Sequence, residues 1–452
     1  MLNYKNYFND LLNINTQYKF HIGFKTKKTL SRITDALSDK HNTELYKLYN
    51  KYKKAKDIQL QLECDYIKQY NEKKIYLYFL INSHSNIISE FEYETNNVYP
   101  NKYKLQRQKD FHKCINTIIE RLKEAMKLNI TIPKIICRKF IKQIKTYKEY
   151  QYFYFFLKKY YLPKCRNTIG LYDLPNGKEI YKLFIKNTLG SINKTPEEIH
   201  KLGLSLLPTK LSNHPNEDTY KSRKELLDDC KKYAIRIYNH IIPKYFYYKP
   251  DEPFIIKEVP ISLENSMSLA YYSPNEDAVF INLSYYSECN KNALYSLLMH
   301  ECFHQYHYRF MNFIKLEKYQ IYGYDNLALI EGFAHYMEIY CDNYDDNNEF
   351  SLLRKVRLVI DTGINYYKWS YKKSYKFMNK YLPNKVKDTE TELERYICNP
   401  SQALCYTIGK IEIIKLRDLF LQQNKGTIKD FHQKLLENGT VSFSFLEKNI
   451  LS

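Results

Sequence analysis

The residues with the clearest capacity for chemistry lie in the stretch HECFHQYH, where His300-Glu301-Cys302-Phe303-His304 fits the pattern H-E-x-x-H. On an α-helix, residues four apart share a face, so His300 and His304 can offer two imidazole nitrogens to one Zn²⁺. Glu301 stands beside them, placed to act on a zinc-bound water rather than to ligate. The preceding NALYSLLM supplies the apolar helical turn that such a motif needs. A structural zinc would take four protein ligands, and the ten cysteines, which include no C-x-x-C pair, do not offer them. A catalytic zinc needs one more ligand and an open position. NLALIEGFAHYMEIYCD, from Asn326 to Asp342, reads as a second helix with an apolar face, and its Glu331 supplies a carboxylate 27 positions after His304.

The neighbours admit blander roles. His307, three residues after His304, lies near the same helix face, as a ligand or as an imidazole that packs and supports one. His335 follows Glu331 by four and either orients it or packs in the core. Glu338 reads as a supporting or ion-pairing carboxylate, and Cys302, on the side away from the metal, as a small buried residue.

The elements that must position these groups are mostly helical. DFHKCINTIIERLKEAMKLNI (Asp110 to Ile130) sets Ile115, Ile119, Leu122 and Met126 at helical spacing. Thr195, Pro196 and Glu198 form a helix start with a capping box. Between Pro253 and Ser287 the pattern changes to short β-branched and aromatic runs, read as two or three strands that include AVFINL (Ala278 to Leu283). Helix returns at about Asn292. The expectation is a mostly α fold with a small β-sheet just before the metal helix. Residues 1–165 form an N-terminal helical region and 166–452 the site-bearing region, within one continuous fold.

The formal net charge is +20, yet Lys, Asn, Ile and Tyr are abundant while Gly (11) and Trp (1) are scarce. That is the composition an AT-rich genome imposes, and it accounts for the charge without a nucleic-acid partner. The N-terminus shows no secretory pattern, and the early apolar run IYLYFLI is too short to span a bilayer. Scattered cysteines in a chain of 452 residues read as reduced thiols. The expectation is a cytoplasmic protein with no membrane contact; oligomeric state is left open.

Several further stretches carry a resemblance. GLYDLPNGKEIYKLFIKNTLGSINKTPEEIHKLGL, AYYSPNEDAVFINL, EGFAHYMEIY, RLVIDTGINYYKWS and RYICNPSQALCYTIGKIEIIKLR run in order from Gly170 to Arg417. With them the chain resembles the bacterial domain-of-unknown-function family 885 (DUF885), which groups with gluzincin-type zinc metallopeptidases. The resemblance implies a large helical, cleft-containing fold like that of angiotensin-converting-enzyme and carboxypeptidase-type zinc peptidases. It implies Zn²⁺ on His300, His304 and Glu331, with Glu301 as base. It also points to Tyr406, on a later helix, as oxyanion donor. Arg357, Gln402 and Lys410 are the candidates to bind the substrate carboxylate that a carboxypeptidase needs, and Arg357 is equally placed to pair with Asp361, four residues on. Two departures stand out. The family reads H-E-x-x-P-G-H, and no Pro-Gly occurs here: a deletion leaves His304 as second ligand, whereas a substitution brings His307 near the family's position. The family's histidine in D-T-G-I-H is Asn365.

The function expected is a zinc-dependent hydrolase, a metallopeptidase of short peptides with carboxypeptidase-like cleavage as one form. AVFINL is the strand expected to hold an extended peptide by backbone hydrogen bonds. The rival expectation, motivated by the two departures, is a catalytically inactive relative that serves as a binding or scaffold protein.

Overall fold

The computed structural model describes residues 3–209, 218–264, 267–323, 326–342, 344–383 and 386–452. The chain is mostly helical with one small three-stranded sheet. It divides into two compact units interleaved along the sequence. Unit 1 comprises Met1–Asn187, Thr195–His200 and Ile360–Gln402; unit 2 comprises Thr188–Lys194, Lys201–Val359 and Ala403–Ser452. Residues 1–165 thus lie within unit 1, and 166–452 contribute to both.

In unit 1, helix α1 (Lys104–Lys127) buries Phe111, Cys114, Ile115, Ile118, Leu122 and Ala125. The buried stripe therefore runs through Ile118, while Ile119 and Met126 are only partly covered. Helix α2 (Gln151–Phe156) continues into a π-helical turn, Leu157–Tyr161. The expected capping box holds: the Thr195 N–H donates to Glu198 at 2.7 Å and the Glu198 N–H to Thr195 Oγ1 at 3.2 Å.

The sheet of unit 2 has the order β1 (Ile256–Glu258), β3 (Ala278–Ile281), β2 (Ala270–Ser273). β1 pairs parallel to β3 with Ile256 opposite Val279, and β2 pairs antiparallel with Tyr272 opposite Val279. This corrects the role expected for AVFINL. β3 is the central strand, its backbone groups paired on both sides, so it has no free edge on which a peptide could be laid. The strand also stops at Ile281, because the Asn282 amide donates to the carbonyls of Glu264 and Met267 and turns the chain.

Four helices of the C-terminal half carry the candidate site: α3 (Lys291–Phe313), α4 (Leu327–Met337), α5 (Glu349–Asn365) and α6 (Cys405–Gln422). The sheet fixes α3. The amide of Gln305 reaches the Asp277 carbonyl in the β2–β3 turn and accepts the Ile255 N–H, and Arg309 Nε donates to Asp277 Oδ2 at 2.8 Å. Asp277 adopts φ +44°, in the left-handed region that an aspartate tolerates in a tight turn.

The last turns of α5 belong to unit 1. There Asp361, fully buried, accepts the Tyr181 hydroxyl at 2.5 Å and the Ser401 N–H at 3.0 Å. Its neighbour Gly363 faces the ring of Trp369 so closely that a Cβ would come within 2.6 Å of it. Burial pushes the Asp361 carboxyl up to about 7, although its hydrogen bonds pull the other way. The folded protein then holds this proton well above the ordinary value of 3.8, and the stability it confers at low pH is lost as pH rises through 7. Asp361→Asn keeps the shape and removes the titration. Urea unfolding of the wild type should weaken between about pH 4 and about pH 7 more steeply than that of the variant. Parallel profiles would exclude Asp361 as the source.

Candidate active site

His300 and His304 project from α3, one helical turn apart, toward Glu331 on α4. His300 Nε2 lies 3.2 Å from Glu331 Oε2, His304 Nε2 lies 3.3 Å from the same oxygen, and the two Nε2 atoms are 3.2 Å apart. Among the described residues these three form the one group of His, Cys, Asp or Glu side chains that could hold a metal ion. His300 is buried, and His304 and Glu331 are partly open.

The approach of α4 to α6 brings a fourth group in. Gly332 and Gly409 face each other at the crossing. A Cβ at Gly332 would meet the Gly409 backbone at 2.6 Å, and one at Gly409 would meet the Ala328 carbonyl oxygen at 1.8 Å. Glu331 precedes the first glycine and Tyr406 lies one turn before the second, so the two side chains meet. The Tyr406 hydroxyl donates to Glu331 Oε1 at 3.2 Å, and its ring lies 6.0 Å from that of His300. Glu331 thus turns one oxygen to the histidines and the other to the tyrosine. Burial opposes its charge, but hydrogen bonds from His300 and His304 hold its carboxyl well below the usual range.

Behind this group lies Glu338, wholly buried at the start of a 3-10 turn (Glu338–Tyr340) that follows α4. It accepts Ser296 Oγ at 2.8 Å, Arg354 Nη1 at 3.0 Å and His300 Nδ1 at 3.0 Å. Arg354 Nη2 also stands 3.2 Å from His300 Nδ1. The carboxylate contact is the shorter, and a carboxylate can only accept, so Nδ1 donates to Glu338 and Nε2 is the atom turned to Glu331 and His304. Burial and the Arg354 charge lower the His300 pKa; Glu331 and Glu338 outweigh them and raise it to about 9. Glu338 itself is held well below the carboxylate range, burial being overcome by Arg354 and the histidines.

Glu301 is 8% exposed, and its carboxylate makes no hydrogen bond or ion pair with the described residues. His307 falls outside the cluster. It packs against the Phe333 ring at 5.5 Å, its Nε2 is buried without a partner, and burial drives its pKa down to about 3. His335 is likewise pushed by burial to about 3; its Nδ1 is 3.3 Å from Glu338 but out of line for a hydrogen bond. Cys302 is wholly buried, and all ten cysteines are buried and unbridged.

The residues expected to bind substrate are placed differently. The Arg357 guanidinium sits 4.9 Å from the centre of the Tyr406 ring. Lys410 donates to Tyr344 and to Asp346, at 2.6 and 3.0 Å. Gln402 belongs to unit 1, where its carbonyl accepts from Arg395 at 2.6 Å. Asn365, also in unit 1, accepts the Leu171 N–H and donates to the carbonyls of Asp361 and Tyr396. Sequence reasoning missed Arg354 and Ser296. The only signal for Arg354 was its place three residues before Arg357, on the same helix face.

Residues 207–450 match the family described as "bacterial protein of unknown function (DUF885)". No curated protein sequence matches the chain significantly. Over its whole length the fold is similar to that of a "putative lipoprotein" from Colwellia psychrerythraea, at 20% identity, a TM-score of 0.83 and 99% coverage of that chain. It is also similar to a second protein so described, of unknown function, from Shewanella oneidensis, at 14% identity, a TM-score of 0.66 and full coverage of both chains.

The glycine contact makes a direct prediction. Gly409→Ala should force α4 and α6 apart and lower stability by roughly 1–3 kcal/mol, the usual range for overpacking. An unchanged urea midpoint would show that the two helices do not approach as described.

Proposed function

The chain belongs to the DUF885 family, and from the chemistry of its site we propose that it is a zinc-dependent metallopeptidase of the gluzincin type acting on short peptides. The observation that carries this reading is the triangle of His300 Nε2, His304 Nε2 and Glu331 Oε2, with sides of 3.2, 3.2 and 3.3 Å. Ligand atoms about 2.0–2.1 Å from a tetrahedral Zn²⁺ lie roughly 3.3 Å from one another, so this donor set fits one face of such a site. Two imidazoles and a carboxylate suit zinc, and three protein ligands rather than four suit a catalytic role.

Zn²⁺ held there would polarise a scissile carbonyl and lower the pKa of water towards about 7. The remaining work falls to the chain's own side chains. Glu301 takes a proton from the attacking water and returns it to the leaving amine. Tyr406, already against Glu331, donates its hydroxyl to the developing oxyanion. Glu338 keeps the Nδ1 proton of His300 in place, so Nε2 stays available as a ligand. Arg354 balances the charge of Glu338. The interior of the molecule around these groups strengthens each interaction relative to water.

Metal analysis of purified protein should find close to one zinc per chain, lost in His300→Ala and in Glu331→Ala and retained in His307→Phe. Folded wild type that takes up no metal would overturn the site. Glu301→Gln should keep the zinc and lose about 10²–10⁴ in peptide turnover. Turnover at the wild-type rate in that variant would reject Glu301 as base. Zinc-loaded wild type that cleaves no member of a peptide library would instead be a binding protein.

A further inference from the structure

Away from the candidate site, in unit 1, the stretch QYFYFFLKKYYLPK (Gln151 to Lys164) contains seven aromatic residues and three lysines and no acidic residue. It comprises α2, the π-helical turn and the residues just after it. Phe153, Tyr154, Leu157 and Tyr161 are buried. The π turn is closed by the Leu162 N–H donating to the Leu157 carbonyl, five residues back. The wider turn keeps Leu157 and Tyr161 both facing inward, where the Tyr161 hydroxyl accepts the Ile132 N–H at 3.1 Å. Tyr152 and Phe155 before them and Lys158, Lys159 and Tyr160 between them are turned out.

The outcome is an outward stripe of rings and ammonium groups. Phe155 is 59% exposed, Tyr160 57% and Tyr152 39%. Lys158, Lys159 and Lys164 are exposed among them. Lys159 stands 5.5 Å from the Tyr160 ring, and Lys123, from the exposed side of α1, stands 5.8 Å from the Phe156 ring. The exposed carboxylates that flank the stripe in sequence are Glu149, just before it, and Asp173, nine residues after Lys164; Glu120 on α1 lies three residues before Lys123. No salt bridge among the described residues neutralises Lys123, Lys158, Lys159 or Lys164. A folded domain gains little by leaving the Phe155 ring and much of the Tyr152 and Tyr160 rings in water beside lysines that have no counter-charge.

We propose that this stripe is a contact surface for an anionic phospholipid bilayer. The charge complementarity is direct: lysines without counter-charges face a negative surface, while the exposed rings enter the headgroup level and the lysine stems reach back to the phosphates. The stretch lacks the side chains that read base edges: between Tyr152 and Lys164 there is no Arg, Asn, Gln, Ser or Thr. The contact is peripheral, since among the described residues no helix is long and apolar enough to cross a membrane.

The test is co-sedimentation of the full chain with vesicles of phosphatidylcholine alone and of phosphatidylcholine with about one quarter phosphatidylserine. Binding to the anionic vesicles should be at least about tenfold tighter and should weaken steeply with added salt. The double variants Phe155→Ser/Tyr160→Ser and Lys158→Glu/Lys159→Glu should each lose about tenfold or more while keeping the wild-type unfolding midpoint, because all four residues are exposed. Equal binding to both vesicle types, wild type that stays in the supernatant, or variants that bind as well as wild type would each overturn the proposal. So would tighter binding to a single-stranded oligonucleotide, lost in the same variants. The result is independent of zinc content and turnover, and so separates from the reading of the metal site.

Discussion

The candidate site depends first on a backbone contact. Where α4 crosses α6, Gly332 and Gly409 leave no room for even a methyl group on either side. That separation is what lets the short reach of a glutamate and the longer reach of a tyrosine end on one another, with Glu331 on one helix and Tyr406 on the other. The pattern E-G in one helix and Y-x-x-G in the other is therefore a single structural device. The glycines set the distance and the adjoining residues use it. Because Glu331 also meets both histidines of α3, the same contact fixes where three helices converge.

Behind the convergence sits a buried charge that is safe only while all its partners remain. Glu338 has no exposure, and its carboxylate is shared among Ser296, Arg354 and His300. Taking a carboxylate out of water is costly, and withdrawal of one partner from such a network leaves an unbalanced charge in the interior. The arrangement ties α3 to α5 through an ionic contact, and the Thr407 hydroxyl, donating to the Arg354 carbonyl, ties α5 to α6. The imidazole of His300 is thus held from both sides, by Glu338 at Nδ1 and by the cluster at Nε2. His304, with less around it, is the more accessible of the pair.

Local regularities carried much of this into the sequence. The spacing of His300 and His304 is one helical turn, and any helix there brings them together. The capping box at Thr195 and the strand AVFI depend on neighbours within a few residues and were readable for the same reason. What depends on distant partners was not. Nothing near Arg354 marks it as the counter-charge of a glutamate on another helix. The place of β3 in the middle of its sheet is decided by β1 and β2 on either side, and a strand's own residues do not say which edge is free. Asp361 shows the same limit: helical spacing offers it Arg357, whereas the folded chain gives its carboxylate to Tyr181, 180 positions earlier, and to the Ser401 backbone. The absence of Pro-Gly, by deletion or by substitution, left His304 and His307 as rivals; of the two the fold brings His304 to Glu331, and His307 packs on Phe333.

The lone tryptophan gives the molecule an unplanned optical label. Trp369 is the single indole among 452 residues, and it lies in unit 1, pressed against the backbone of Gly363 and 7% exposed. Its emission therefore reports the local packing of unit 1 around Gly363, which lies two residues along the helix from Asp361. The helices that bear His300, Glu331 and Tyr406 contain no indole and are silent in that signal. Tryptophan fluorescence reports one unit and far-ultraviolet circular dichroism the helices of both, and a divergence between the two curves would show that the units unfold in two steps rather than one.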